Sequence, residues 1–225
     1  MSVYYAIPSK MQPADAEQCL SKWRQQGYLL AIWRDTGDLP VDADLLLTGK
    51  YEGYHHAVNA LCREILNRHP DAEWIVTGGD DMTPDPAKPA PLIAAECTEY
   101  FRGTFGIMQP TGDRWGEDAS GLALADRICG SPWMGREFCR RMYAGRGPFS
   151  EAYYHCYGDE EMLDVARAMG ILWQRRELTH YHYRFDREGK PMPSYLERGH
   201  QEINRTARIF AERKAAGFPG HQPIL

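Results

Sequence analysis

The chain has 225 residues, 43% of them hydrophobic and 25% charged, enough for one globular domain with a sizeable core and too little for two full ones. Its formal charge of −5 gives no overall attraction to nucleic acid or to an anionic membrane. Six cysteines without a CxxC pair argue against a zinc site or disulfide scaffold, and with no leader-like N-terminus and no apolar window near the roughly 18 residues a spanning helix needs, a soluble cytoplasmic protein is predicted.

In chain order, Val3 to Ile7 is a short β-rich run that ends at Pro8-Ser9. Asp15 to Gln26 has helical spacing, with Ala16, Cys19, Leu20 and Trp23 on one face and Gly27 as its C-cap. Tyr28 to Trp33 reads as a second strand ending in Arg34-Asp35, and Asp44 to Thr48 as a third ending in Gly49-Lys50. A helix is expected from about Glu52 to Arg68, with Ala57, Leu61, Ile65 and Leu66 inward. Trp74 to Thr77 is a fourth strand, which breaks at Gly78-Gly79 and delivers Asp80-Asp81.

After a Pro-rich link from Pro84 to Pro91, Leu92 to Phe101 looks helical and Phe105 to Pro110 reads as a strand running into the loop Thr111 to Gly116. Ile128 to Phe138 is a turn feeding a helix that ends near Gly145. Another helix runs from about Asp159 to Met169, and a strand from Ile171 to Arg175 precedes His180-Tyr181-His182. Glu197 to Ala216 is expected to be an amphipathic helical tail with Ile203, Ala207 and Phe210 inward.

Apolar strands alternating with amphipathic helices predict an α/β layer with a mostly parallel sheet. Ligands bind beyond the carboxyl ends of such strands, where Ser9, Arg34, Lys50 and Asp80 fall, so these are grouped as one site. Two adjacent carboxylates repel each other unless a cation sits between them and a ligand. Mg²⁺ or Mn²⁺ bridging to phosphate suits that arrangement, and a plain Asp-rich turn is the alternative.

The order of these elements resembles the nucleotide-sugar glycosyltransferases of GT-A type, and is similar to their family-2 branch. The likeness is carried by the Pro8-ended first strand, the helix with Gly53, Ala57 and Asn59, the Asp80-Asp81 doublet, and Gly158-Asp159-Glu160-Glu161 opening a late helix. It implies a Rossmann-like mixed, mostly parallel sheet flanked by helices, with a C-terminal helical tail. It also implies a UDP-sugar donor held with Mn²⁺ or Mg²⁺, and a catalytic base in the acidic pair. The family's doublet is Asp-x-Asp, whereas Gly79 precedes Asp80 here, which makes Asp81 the firmer metal ligand and leaves Asp80 to the donor. A His after the next strand often completes the metal shell in that family, so His180 or His182 is the candidate.

On that resemblance, residues 1–86 form the nucleotide-sugar half of a single domain, 87–185 the acceptor and catalytic half, and 186–225 the tail. Asp159 is the expected base, with Glu160 one residue away as the alternative. At a helix N-terminus the dipole and backbone donors favour an ionised carboxylate, although acidic residues also cap first turns for structural reasons alone. His180 and His182, spaced i and i+2 on an extended segment, should point to the same side. Pro8, Ser9, Arg34, Asp35, Lys50 and Asn59 are expected around the donor. His55 and His56 read as a helix-surface pair without a role.

Trp115 and Trp133 are candidate stacking platforms, with packing as the alternative. Three segments, Gly103 to Gly106, Met108 to Trp115 and Gly130 to Glu137, resemble glycosyltransferases encoded by bacteriophages, some of which glycosylate hydroxymethylated pyrimidines in DNA. That implies Arg114, Trp115, Ser131 and Trp133 at the acceptor. It also implies phosphate contacts from Arg136, Arg140, Arg141, Arg146, Arg175, Arg176, Arg184 and Arg187. A solvated helix face is the plainer reading of those arginines. The competing functions are a nucleotidyltransferase, for which Pro8-Ser9-Lys10-Met11 is a poor phosphate loop, and a non-catalytic sugar- or nucleotide-binding module.

Overall fold

The computed structural model describes residues 1–116 and 123–224, apart from the side chains of Tyr195 and His200. Its central sheet forms because several short runs are apolar on both faces: Val3 to Ile7 are all buried within β1 (Ser2–Pro8). β2 (Leu29–Asp35) and β3 (Leu45–Gly49) lie parallel to β1 on one side, and β4 (Ala72–Val76) lies parallel to it on the other. β6 (Ile107–Pro110) and β8 (Leu172–Arg175) form a second parallel pair. Between β4 and β6 runs a short antiparallel strand, β7 (Trp133–Gly135). The sheet order is therefore β3-β2-β1-β4-β7-β6-β8. An α/β fold with a mixed, mostly parallel sheet is what the sequence predicted.

Helices cover both faces. α1 (Pro13–Gln25) and α3 (Ala90–Phe101) pack on one face through Ala16, Leu20, Trp23, Ile93 and Cys97. α2 (Tyr54–Arg68), α4 (Arg136–Gly145) and α5 (Gly158–Ala168) pack on the other through Leu61, Ile65, Phe138, Met162 and Leu163. A two-stranded ribbon, β5 (Met82–Thr83) with β9 (Tyr181–His182), lies outside the main sheet and pairs Met82 with His182. The six cysteines are all free, and no helix among the described residues is long and apolar enough to cross a membrane.

The chain departs from expectation in two places. Trp133 to Gly135 form a strand rather than the start of a turn, because three buried residues bridge β4 and β6. The tail is two helices, α6 (Glu197–Gln201) and α7 (Ile203–Ala215), and Ile203 is exposed while Thr206 is buried. The tail is tied down by an ion pair that hydrophobic periodicity does not show. Arg213 of α7 donates Nε and Nη2 to the Glu161 carboxylate of α5 at 2.8 and 2.7 Å. The hydroxyls of Tyr143 and Tyr153 complete that carboxylate at 2.8 and 2.6 Å. A fully buried carboxylate is tolerated only when paired and saturated in this way. The network fixes α5, and with it the Asp159 of its first turn, against α4 and α7.

Candidate active site

Chain order runs outward from β1 to β2 and β3, then returns to β4 on β1's other flank. That makes the gap between β1 and β4 the switch point of the sheet, where open α/β sheets bind ligands. A cleft of about 500 Å³ opens at the carboxyl ends of these strands. Pro8 and Ser9 reach it from β1, Asp35 from β2, and Asp80 and Asp81 from the turn after β4. Asp159, His182 and Trp115 complete the part foreseen from sequence.

The Asp80-Asp81 turn is held from beneath by three aromatic side chains. Tyr5 donates its hydroxyl to the Gly79 carbonyl at 2.7 Å, and Tyr54 donates to Gly78 at 3.0 Å. Trp23, stacked on Tyr5 at 3.6 Å, donates its indole N–H to the Met82 carbonyl at 2.8 Å. Such buried, satisfied donors fix a turn whose glycines would otherwise leave it loose.

The two aspartates have separate tasks. Asp80 is buried, and its Oδ2 accepts from Ser9 Oγ at 2.8 Å and from the backbone N–H groups of Lys10 and Met11 at 3.2 and 3.3 Å. It therefore locks the loop after β1, and burial raises its pKa. Asp81 faces the cleft, and both its oxygens lie 3.2 Å from Nε2 of His182. The β5–β9 pairing and a Tyr183 N–H to Asp81 O bond of 2.9 Å bring the two together.

No group of three or more metal-ligating side chains converges among the described residues. Asp81 and His182 nevertheless fit a half-site. Their 3.2 Å separation suits neighbouring positions around a cation with bonds of roughly 2.1 Å, and Mg²⁺-type ions take one or two protein carboxylates and fill the remainder with phosphate and water. The charge of the cleft agrees. Asp35, Asp38, Asp80, Asp81 and Asp159 line it, against Lys10 and Arg184, and each of those two already faces a carboxylate. An anionic ligand needs an added cation there.

Asp159 lines the cleft from the start of α5, close enough that its charge bears on Tyr54, His55 and Cys129. Tyr157, just before this helix, holds a left-handed φ of 76° and packs its ring 5.4 Å from Phe210 of α7. Strained non-glycine backbone of this kind persists where surrounding contacts enforce it, often at functional sites. Gly158 is required because a Cβ would run into the His55 imidazole.

Glu160 does not line the cleft. Burial first, then the charge of Asp159 and a hydrogen bond with it, raise its carboxyl well above the usual carboxylate range. A folded-state pKa above the unfolded one means that the folded form holds the extra proton. Stability from this group is full below about pH 4.5 and declines as the pH climbs toward the raised value. Glu160→Gln, which cannot ionise, should melt several degrees above the parent at pH 8 and close to it at pH 4. Equal melting shifts at both pH values would show that Glu160 is ionised in the folded protein.

Several residues expected at the site lie elsewhere. Arg34 is buried beneath the loop after β1, donating Nη1 to the carbonyls of Ser9 and Met11, each at 2.9 Å. Lys50 is exposed outside the cleft, because β3 is the edge strand and its end projects away from the switch point. Asn59 is fully buried and clamps Phe149 through both its N–H and its carbonyl, at 3.1 and 3.0 Å. His180 and His182 do not share a face, since only His182 belongs to the ribbon. His180 is buried against Ser131 Oγ at 2.7 Å, and burial lowers its pKa to about 3.

Ser131 and Trp133 are wholly buried, and Arg114 projects outside the cleft. Trp115 lines the cleft while its indole N–H bonds the His180 carbonyl at 3.0 Å. The arginines read as a DNA-facing cluster are dispersed and partnered. Arg136 bonds the carbonyls of Leu66, His69 and Ala72, and Arg175 is buried between Glu96 and Glu177. Arg140, Arg176, Arg184 and Arg187 pair with Glu137, Asp126, Asp186 and Asp113, while Arg141 and Arg146 bond the carbonyls of Ile224 and Tyr143.

An aromatic wall that has no local signature in the sequence completes the cleft. Tyr51, Tyr54, Phe149, Tyr154 and His155 line the cleft, along with a buried His55. Burial lowers the His55 pKa to about 4, and its Nδ1 lies 3.2 Å from the Tyr153 carbonyl. Gly53, at φ 122°, makes this wall possible: a Cβ there would lie 2.6 Å from the Tyr154 carbonyl, which accepts from the Tyr54 N–H at 2.8 Å.

No known protein family matches the chain, and no curated protein matches it. Among solved structures, it is similar to the catalytic domain of Drosophila β1,4-galactosyltransferase 7 in complex with xylobiose. That match has 13% identity and a TM-score of 0.49, over 81% of this chain and 71% of that one. A mutant of the same enzyme in complex with manganese, UDP-Gal and xylobiose matches with 13% identity and a TM-score of 0.49, over 88% of this chain and 79% of that one.

Proposed function

We propose that this protein is a metal-dependent glycosyltransferase of GT-A type, moving a sugar from a nucleotide-sugar donor to a hydroxyl acceptor. The observation that carries the reading is that Asp81, His182 and Asp159 all line one cleft at the sheet's switch point. Residues 1–86 supply most of the donor wall, and residues 87–185 supply Asp159 and His182.

Asp81 and His182 would hold a divalent cation, which supplies Lewis-acid stabilisation to a departing diphosphate. Asp80 keeps the loop after β1 in place, so that Pro8, Ser9 and Lys10 present a fixed wall to the nucleotide. Asp159 accepts the proton of the acceptor hydroxyl as that oxygen bonds to the anomeric carbon. The bond from that carbon to the diphosphate oxygen breaks, and the electron pair leaves with the nucleoside diphosphate. Trp115, Tyr54 and Phe185 narrow the cleft and exclude water from it.

A hydroxymethylated pyrimidine in DNA, the acceptor suggested by the phage resemblance, would need phosphate contacts that the dispersed, partnered arginines do not favour. Calorimetric titration of UDP with and without Mn²⁺ tests the donor half of this reading. Binding should tighten at least tenfold with the metal. Metal-independent binding, or none, would sink the proposal.

A further inference from the structure

The contacts of Glu161 form a closed path that returns to Asp159. Glu161 lies two residues after Asp159 in the first turn of α5, and its side chain is wholly buried. Tyr153 donates its hydroxyl to this carboxylate at 2.6 Å, while the Tyr153 carbonyl accepts from Nδ1 of the buried His55 at 3.2 Å. The His55 ring in turn fills the space against Gly158, the residue before Asp159, so closely that no Cβ fits there. One carboxylate therefore holds the first turn of α5 twice, from within the helix and, through Tyr153 and His55, from beneath it. The next residue, Tyr154, accepts from the Tyr54 N–H at 2.8 Å, which pins the segment that brings Phe149, Tyr154 and His155 to the cleft.

The charge that this path needs comes from the tail. Arg213 meets both oxygens of Glu161 side by side, through Nε at 2.8 Å and Nη2 at 2.7 Å, a fork that lysine cannot reproduce. Without the guanidinium, Glu161 would be a buried carboxylate facing two neutral hydroxyls, and a buried charge stripped of its partner is strongly destabilising. Relief would come from displacement of α5 or of Tyr153, and either one shifts Asp159. The tail is seated on the same segment elsewhere, with Arg198 4.2 Å over the Tyr154 ring and Phe210 5.4 Å from the Tyr157 ring. None of the hydrogen bonds to Glu161 involves Ser9, Asp80, Asp81 or His182, so the cation half-site is held by other contacts.

We propose that Arg213 is a positioning residue for the reaction: from the C-terminal tail, and through Glu161, it keeps Asp159 in its working geometry. This rests on the glycosyltransferase reading and adds to it a part for the tail, which completes the site without touching the reacting atoms.

The test follows Mn²⁺-dependent release of nucleoside diphosphate from a panel of nucleotide sugars, beside UDP affinity and Tm. It compares the parent with Arg213→Ala, Arg213→Lys, Asp159→Asn and the double variant Arg213→Ala with Asp159→Asn. Arg213→Ala should lose kcat by roughly 10- to 100-fold, the cost of a small misplacement of a catalytic group, with UDP affinity within about twofold of the parent. Guanidinium added at a non-denaturing concentration should restore part of that kcat, because the Arg213 side chain is 18% exposed and its place opens to solvent. Urea, uncharged and of similar shape, should not. Arg213→Lys keeps the charge and loses the fork, so it should fold and fall between the parent and Arg213→Ala; it carries the comparison if Arg213→Ala does not fold. In the Asp159→Asn background Arg213→Ala should slow release no further, since both changes disable one group. A lower Tm with kcat unchanged, a parallel loss of UDP affinity, full additivity with Asp159→Asn, or guanidinium that raises Tm without raising kcat would each overturn the inference. So would an Arg213→Lys that does not fold, which would assign Arg213 to stability alone. No release from the parent with any donor would overturn the glycosyltransferase reading itself, and the inference with it.

Discussion

Asp159→Asn should reduce turnover by roughly 10²–10⁴-fold while the protein still binds its nucleotide sugar, the range expected when a positioned general base is removed. Asparagine keeps the size and hydrogen-bonding shape of aspartate and removes only its capacity to take a proton. Glu160 cannot substitute, because it lies outside the cleft. The measurement is kcat at saturating donor, alongside the donor Kd by calorimetry. Parallel loss of kcat and of donor binding would assign Asp159 to the donor and not to the base.

Asp81→Asn should act on the other half. Loss of the carboxylate from the Asp81–His182 pair is expected to weaken Mn²⁺-dependent UDP binding by about 100-fold or more, since even outer-shell changes at metal sites cost 10–100-fold. His182→Ala should weaken it in the same direction, through the same cation. Asp80→Asn should look different, because Asp80 Oδ2 serves Ser9, Lys10 and Met11 rather than facing His182. Its expected signature is a lower Tm with metal dependence retained. If Asp81→Asn leaves UDP binding and its metal dependence untouched, the half-site is misassigned.

What was legible in the sequence follows periodicity and chain punctuation. The strands that deliver Ser9, Asp35 and Asp80 were visible because each is a short apolar run ending in a polar residue, and the sheet does bring Ser9 and Asp80 together. Arg34 and Lys50 were placed by the same rule and lie elsewhere. Falling at a strand end does not say whether a side chain turns toward the switch point, and both the edge position of β3 and the burial of Arg34 are tertiary facts. β7 carries no period because three residues are too few to show one. His180 was misplaced because the i, i+2 rule holds only within a strand, and the ribbon begins at Tyr181.

The aromatic wall was beyond local reasoning. Tyr51 precedes Gly53 and Tyr54 opens α2, whereas Phe149, Tyr154 and His155 belong to the loop before α5, and the two meet through long-range contacts such as the Tyr54 N–H to Tyr154 O bond and the Asn59 clamp on Phe149. His55 and His56 read as a helix-surface pair; His56 is partly exposed, but His55 is buried under the first turn of α5. The Arg213–Glu161 pair was equally hidden. An arginine in a charged tail and a glutamate in an acidic first turn both have ordinary surface explanations.

The central claim is that one cleft joins a cation half-site to a base at the switch point. Mn²⁺-dependent release of nucleoside diphosphate from a panel of nucleotide sugars, measured in the parent, Asp81→Asn and Asp159→Asn, tests it most directly. The expected result is release in the parent that needs the metal, loss of metal dependence and of donor binding in Asp81→Asn, and loss of release with donor binding kept in Asp159→Asn. Release that persists without a divalent cation and survives both substitutions would contradict it.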